Sequence, residues 1–487
     1  MSIASAFNSA SSGIRANSRL VDTVAKNVSN ALTPGYARRT TEVTSTFFNG
    51  QGGGVAVVAT SRAENAHVTA ERRAADASLG AASALSNTYT RIMELHGSTA
   101  SDAASMMALT DALEADLIAL STSSDSTAVQ MTVLNSAKAM VEKLNEITLD
   151  NNAIRTSVEQ EISDQVDVVN DSLGKIDALN EKIAAQQTLG ADTTSLEDER
   201  ARLVDDIASI VPVSTVKRDN GMIGIYSAHG GIMLNAQVYE LSFEPYNGGV
   251  TADMTSGSPL NSLMQDQGAS SGAVTVDAGT GSGKFDGGSL GALFEIRDTV
   301  IPEYQAELDA FATDMVERFR DLMPAGFLDG SGDGLFVDSG SGTGVAGRID
   351  VNDAVDPDDG GSVWRLRDGL AATTEGDKGN TEFLLAMSDA MAEERDPTGF
   401  AYQSAAGDAS SLVSGIASYF ASLEASADLD TTFLSSLQAT LAESEINDTG
   451  VDMDTELSNL MALEDAYAAN ARVLDVINQL MQRILEI

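Results

Sequence analysis

The chain has 487 residues, 43% of them hydrophobic, with 72 acidic against 29 basic side chains and a net charge of −43. That length exceeds one ordinary core and suits two to four domains, while the charge disfavours nucleic acid and anionic membranes as partners. Cysteine is absent, which excludes a disulfide framework, a thiolate metal site and a thiol nucleophile. Aromatic residues make up only 5%, with one tryptophan, Trp364, a composition suited to Ala-rich helical packing. No apolar run approaches the ~20 residues of a membrane span, so no membrane insertion is expected. The N-terminus lacks the cationic, apolar and small-residue blocks of a cleaved signal peptide; export would use an uncleaved N-terminus.

The first 32 residues carry a heptad. Phe7, Ile14, Val21 and Val28 recur every seven positions, and Ile3, Ala10, Asn17 and Val24 fill the interleaved line. The segment KNVSNALTPGYARR then stops the helix. Thr33 precedes proline and is pushed out of helical geometry, and Pro34-Gly35 suits the centre of a type II turn. Tyr36 reads as an anchor, with Arg38 and Arg39 aimed at an acidic neighbour.

After the stop, TTEVTSTFFN and VAVVATS flank GQGGG as a hairpin. Helical periodicity follows from about residue 62, with one long helix over roughly 125–188 and another over Thr194–Ile210. From about 211 to 289 the chain alternates apolar and polar residues between Gly-rich turns, as strands do. Helix returns over Ser289–Leu322, with Pro302 starting a turn or a kink. Residues 324–380 read as Gly/Asp-rich loop with short strands, and 380–446 as helix.

The last 36 residues repeat the heptad. Met453, Leu460, Tyr467, Leu474 and Met481 share one line; Leu463, Asn470, Ile477 and Ile484 share the interleaved one. Antiparallel helices with their free ends aligned would place Asn17 and Asn470 at one level, a device that fixes register. The alternative is that each asparagine faces solvent on an imperfect amphipathic helix. Residues 1–40 carry five bases and one acid, residues 448–487 two bases and eight acids, so the ends attract. Arg15, Arg19 and Lys26 fall on outer heptad positions, free for neighbouring subunits. An isolated helix pair buries little apolar area, so both ends are expected to be mobile until association orders them.

Chemistry is sparse. His67, His96 and His229 are not spaced as metal ligands, and no catalytic triad can be argued. The segment AGTGSGKF mimics a phosphate loop, but Phe285 stands where a magnesium-side hydroxyl belongs. Asp329, Ser331, Asp333 and Gly334 resemble the start of a calcium loop, but Gly340 occupies the bidentate glutamate position. The segment reads as an Asp/Gly turn, with weak calcium binding the lesser alternative. No catalytic, metal or cofactor site is assigned, and no enzyme is expected.

The N-terminal SIASAFNSASSGIRANSRLVDTVAKNVSNALTPGYARR resembles the signature of bacterial flagellar axial proteins, which places the family's turn on Asn27, Asn30, Thr33, Pro34, Gly35 and Tyr36. The C-terminal segment resembles its partner through Glu456-Leu457-Ser458-Asn459-Leu460, Ala466-Tyr467 and Ala471-Arg472-Val473-Leu474. The interior GALFEIRDTVIPEYQAELDAFATDMVERF and GDGLFVD are similar to the hook-associated protein 1 family, the hook–filament junction proteins. One departure is Glu464-Asp465 where that family carries Gln-Gln.

The resemblance implies an extracellular structural subunit of the flagellum, forming a ring between hook and filament by axial self-assembly and exported through the type III apparatus. Its implied partners are the hook protein, the second hook-associated junction protein, neighbouring copies of itself, an export chaperone and the type III export apparatus, with no nucleic acid and no cofactor. Alternatives are the second junction protein or a flagellin-like subunit, and, from another class, a surface hydrolase on a helical stalk.

The expected fold is mainly α with a β insertion: a nested multidomain rod with terminal helices as a coiled coil, a long-helix bundle body and a small outward β-rich domain. Its divisions are 1–45, the N-terminal half of the terminal coil; 46–210, helical body; 211–289, β-rich; 290–449, helical body with Gly/Asp-rich loops; and 450–487, the C-terminal half of the coil. The seam residues are Ile3, Phe7, Ile14, Asn17, Val21, Val24 and Val28 against Leu460, Leu463, Tyr467, Asn470, Leu474, Ile477, Met481 and Ile484.

Overall fold

The chain is organised along a 62-residue helix, about 90 Å long at 1.5 Å per residue. The computed structural model describes residues 3–48, 51–97, 103–267, 272–281, 283–396, 399–402 and 405–485. Its helices are α1 (Ile3–Asn30), α2 (Ala66–His96), α3 (Met106–Thr122), α4 (Thr127–Thr188), α5 (Thr194–Ile210), α6 (Gly288–Glu295), α7 (Ile301–Asp321), α8 (Arg365–Asp368), α9 (Glu382–Ala392), α10 (Ala409–Thr449) and α11 (Met453–Leu485). Its strands are β1 (Arg39–Phe48), β2 (Gln51–Arg62), β3 (Val213–Lys217), β4 (Ile223–Ser227), β5 (Ile232–Leu234), β6 (Leu241–Ser242), β7 (Thr255–Ser256), β8 (Pro259–Leu260), β9 (Met264–Asp266), β10 (Ala273–Thr275), β11 (Phe336–Asp338) and β12 (Ile349–Val351). The fold is mainly α with a β insertion, as the periodicities indicate.

Ser126 caps α4 by accepting from the Val129 N–H. One face of α4 then stays buried over its length, through Val133, Met140, Leu144, Ile147, Ile154, Ile162, Val169, Leu173, Ile176 and Ile183. All of these but Ile183 belong to a contiguous apolar cluster that starts at Ile92 and ends at Phe420. Strands β3–β4–β5 and β6–β9–β10 form two small sheets, and Ile223, Ile225, Leu241 and Leu263 join the same cluster. Two asparagines of α4 hold these strands by imitating a neighbouring peptide group. Asn180 exchanges bonds of 2.9 and 3.1 Å with the Ile223 backbone, and Asn170 exchanges bonds of 2.7 and 2.9 Å with Leu241.

Buried arginines fasten the loops. Arg155 donates to the carbonyls of Arg297, Thr251 and Met254, and Arg297, fully buried, pairs with Glu159 at 2.6 Å. Removing one member of such a pair costs about 3–5 kcal/mol, because the other charge is stranded. Pro302 does not break its helix. One wide turn over Ile296–Val300 lets the Ile301 N–H reach the Ile296 carbonyl, so the missing donor falls in the first turn of α7.

The expected helix over 380–446 is interrupted between α9 and α10. There Arg318 gathers the carbonyls of Ala390, Glu393 and Gly407 at 2.6–2.9 Å, holding the chain on both sides of the break.

No residue of α1, β1, β2 or α11 belongs to the cluster among those described. Instead α1 packs on α11 and on the β1–β2 hairpin. Small residues permit the close approach: a Cβ on Gly13 would lie 2.9 Å from the Asn470 amide nitrogen. Ser12 accepts from the Val55 N–H at 3.1 Å, and Thr23 meets Thr41 at 2.6 Å.

Candidate functional site

The two chain ends meet the body at one joint, built from the residues of the KNVSNALTPGYARR stop. Asn30 closes α1 by donating to the Lys26 carbonyl at 2.9 Å, and Thr33 donates to Asn30 Oδ1 at 3.3 Å. The Tyr36 N–H reaches the Thr33 carbonyl at 3.1 Å across Pro34-Gly35. Gly35 has φ +75° and rests on the Arg202 stem, a position where a side chain would be strained and crowded.

Asn27 is the hub. It is 1% exposed and all its hydrogen-bonding capacity is used. Its Nδ2 donates to the Arg39 carbonyl (2.9 Å) and to Glu456 Oε2 (3.1 Å). Its Oδ1 accepts from the Arg39 N–H (2.9 Å) and the Tyr36 hydroxyl (2.9 Å). Burial pushes the Tyr36 phenol up from its ordinary value, with Arg39 opposing, so it stays a donor.

Glu456, in the first turn of α11, is equally buried and receives Arg38 Nε at 2.7 Å. The Arg38 backbone is fixed too: its N–H donates to the Thr449 carbonyl and its carbonyl accepts from the Ala63 N–H, both at 2.7 Å. Arg39 lies over the Tyr36 ring at 4.8 Å and pairs with Asp198 of α5 at 3.2 Å, which also holds Arg62 at 2.7 Å. The acidic neighbours of Arg38 and Arg39 are therefore in the same chain. The sequence marks Glu456 within a motif and gives no sign that Asp198 faces it. An acid two positions before Arg200 on an amphipathic helix is an ordinary surface pattern.

A second set of ion pairs braces the joint from behind. Arg72 of α2 binds Asp76 at 2.5 Å, Asp205 of α5 at 2.7 Å, and Glu445 of α10. Asn65 donates to Asp448 at 2.6 Å, so α2 and α10 run antiparallel into the joint.

The terminal pair is antiparallel, with a register set by two contacts. Asn27 lies 14 positions beyond Gly13, and Glu456 lies 14 positions before Asn470. Asn470 therefore stands beside Gly13, one turn from Asn17, and the amides expected at one level do not pair. Asn17 Nδ2 is buried without a partner. The buried anchor between Asn27 and Glu456 sets the register, rather than the free ends.

Of the seam residues, Val24 and Ile477 are buried. Ile3, Ile14, Asn17, Val21, Val28, Leu460, Leu463, Asn470 and Leu474 are half-buried, and Phe7, Tyr467, Met481 and Ile484 are exposed. Arg15 and Arg19 are exposed, and Lys26 reaches Asp192 at 3.6 Å.

The motifs set aside in the sequence are used within the chain. In AGTGSGKF the N–H groups of Thr280 and Gly283 converge on the Asp286 carboxylate. Asp329 accepts from Ser331 N–H, Asp333 N–H and Asn352 Nδ2 at 2.8–2.9 Å, closing its own turn. His96 is buried against the Tyr304 hydroxyl at 3.2 Å. No cluster of metal-ligating side chains occurs among the described residues, and none of their helices is long and apolar enough to cross a membrane.

A chain of long helices, closed by its own two ends through a buried polar clamp and without a metal-ligating cluster among the described residues, has the build of a structural protein. The chain belongs to the flagellar hook-associated protein FlgK family: residues 92–336 match the family model described as the flagellar hook-associated protein FlgK helical domain. Residues 445–487 match the flagellar basal body rod FlgEFG protein C-terminal model. The chain is 23% identical to flagellar hook-associated protein 1 of Escherichia coli, over 100% of both chains. It is 22% identical to flagellar hook-associated protein 1 of Bacillus subtilis, over 97% of this chain and 96% of the relative. The solved structure of the flagellar hook junction protein FlgK from Burkholderia pseudomallei aligns with TM-score 0.46 and 19% identity, over 55% of this chain and 47% of that one. The family is structural, not enzymatic.

Proposed function

We propose that the chain is a structural subunit of the hook–filament junction that joins its neighbours through the terminal helices. One observation carries the reading. In α11 the described buried residues are Glu456 and Ile477, while Leu457, Met461, Tyr467, Val476, Met481 and Ile484 are 45–62% exposed. A 33-residue helix with that much apolar surface open is unfinished by itself, and exposure on this scale marks an interaction surface. Kinship with flagellar hook-associated proteins supports this reading, in which subunits would stack along an axis with α1 and α11 innermost and the 211–289 strands outermost. On this reading the partners are copies of the chain, the hook protein, the second hook-associated junction protein, and an export chaperone with the type III apparatus.

The test is electron microscopy of cells lacking the protein, complemented with the full chain or with deletions of 1–33 or 452–487. The full chain restores filaments on hooks, and each deletion leaves bare hooks. Filaments attached normally in the absence of the protein would refute the reading.

A further inference from the structure

Beside the joint lies a groove of about 920 Å³, bounded by the 31–37 turn, α5, β3 and the last turns of α10. Its lining is unusual for this chain: seven basic side chains against five acidic ones, where the whole sequence has 29 against 72. Three of those cations have no carboxylate partner among the described residues. Arg200 is buried, held by Asn180 Oδ1 and the Gly221 carbonyl at 2.8 Å. Arg202 lies with its stem under Gly35, and Arg218 is exposed at the end of β3. The rim is apolar, with Leu32 97% and Ile446 67% exposed beside Pro34.

A surface of the opposite kind lies farther along α10. Beyond Phe420 that helix has no buried residue, and it touches the rest of the fold along a stripe facing α2. Its outer side carries Leu429 and Phe433, 70% and 66% exposed. They are four positions apart and share a face. Asp428 and Asp430 flank them, exposed and without an ion pair among the described residues.

We propose that the groove receives this face of α10 from a second copy of the chain, with Leu429 and Phe433 on the apolar rim and Asp428 and Asp430 against Arg202 and Arg218. The inference rests on the reading that copies of the chain assemble. Charge complementarity selects the occupant. In a molecule this acidic most faces of one copy repel those of another, and here a cationic groove meets an acidic stripe. Leu429 and Ile446 are 17 positions apart on one helix, roughly 25 Å at 1.5 Å per residue. Groove and stripe are thus separate surfaces, and their contact is head-to-tail. Such contacts build rings or helical arrays rather than closed dimers.

Two charge-reversal variants test it: Arg202→Glu with Arg218→Glu, and Asp428→Lys with Asp430→Lys. All four side chains are exposed, so circular dichroism and melting should match the unaltered chain. Expressed alone in cells lacking the protein, each variant reduces filament attachment by at least about tenfold, because like charges meet at every contact. Expressed together they restore it, since each reversed groove then finds a reversed helix; so does a chain carrying all four changes. Normal attachment by either variant alone would overturn the contact, and so would loss without rescue by the mixture, which would assign the groove to another acidic partner. Purified Arg202→Cys and Asp430→Cys chains, mixed with a short bismaleimide, should yield a cross-linked dimer that neither gives alone. That readout needs no flagellum: its failure counts against the contact, whereas failure of the unaltered chain to restore filaments counts against the functional reading.

Discussion

Asn27 links three segments with one amide: the stop after α1, the first residue of β1 and the first turn of α11. Each of its atoms has a defined partner, so small changes have calculable effects. Asn27→Asp replaces the Nδ2 donor with an oxygen facing Glu456 Oε2, where 3.1 Å now separates the two groups. Two buried carboxylates at that distance cannot both ionise. The substitution should loosen the terminal pair by on the order of 3 kcal/mol near neutral pH, with partial recovery at acid pH when the pair shares a proton. Amide exchange in α1 and α11 reads this directly, and unchanged protection would remove Asn27 from the role of hub.

A second residue-scale prediction concerns His96. Burial first, then Lys143, lowers its pKa to about 4 from an ordinary value near 6.5. The folded ring is therefore neutral where the unfolded ring has taken up a proton. Stability from this group is complete above about 6.5 and falls as pH drops toward 4, by about 3 kcal/mol in total. His96→Asn should remove that component. The unaltered chain would then lose more stability than the variant between pH 7 and pH 4.5 in denaturant titrations, and parallel losses would refute the assignment.

At the scale of elements, the terminal pair shows how register is chosen. The heptads place apolar residues on both helices, and an apolar stripe alone allows slippage by a turn. The Asn27–Glu456 contact decides the matter by fixing one end. Because the chain lacks cysteine, the register can be tested with introduced pairs. Gly13→Cys with Asn470→Cys should close a disulfide on mild oxidation, since those positions adjoin. Asn17→Cys with Asn470→Cys, about one turn or 5 Å out of step, should close far more slowly. The reverse order would restore alignment by the free ends.

The same scale explains what pattern alone could locate. α5 occupies Thr194–Ile210, as its periodicity and the following Val211-Pro212 indicate, and α4 starts within two residues of its expected position. The break between α9 and α10 escaped because the carbonyls of Ala390, Glu393 and Gly407, on either side of it, are held by Arg318 from α7. An arginine some 75 residues away leaves no trace in local spacing.

Over the whole molecule, stability is unevenly distributed. The apolar cluster spans Ile92 to Phe420 and excludes both ends, so the ends open at a lower free-energy cost than the body. Amide exchange on the monomer should show weak protection in α1 and α11 and strong protection in α4 and α7. Deleting residues 453–485 should erase what protection α1 has and leave the α4 amides unchanged. A slowed or uniform exchange pattern would mean that the termini fold with the body before any assembly.

The sequence by itself determined the nested plan, the hairpin after the stop, the helix-strand-helix order and the kinship of both ends to flagellar axial proteins. Those features follow from periodicity, turn residues and short motifs, which act over a few residues and so are legible along the chain. Only the tertiary structure decided the register of the terminal pair, the merging of the strands into the helical core and the clamp joining Asn27, Arg38 and Glu456. The register and the clamp depend on side chains more than 400 positions apart in sequence, and the strands meet α4 through asparagines 43 and 71 positions away. A buried polar group finds its partner through the whole fold, and no local pattern encodes which partner that is.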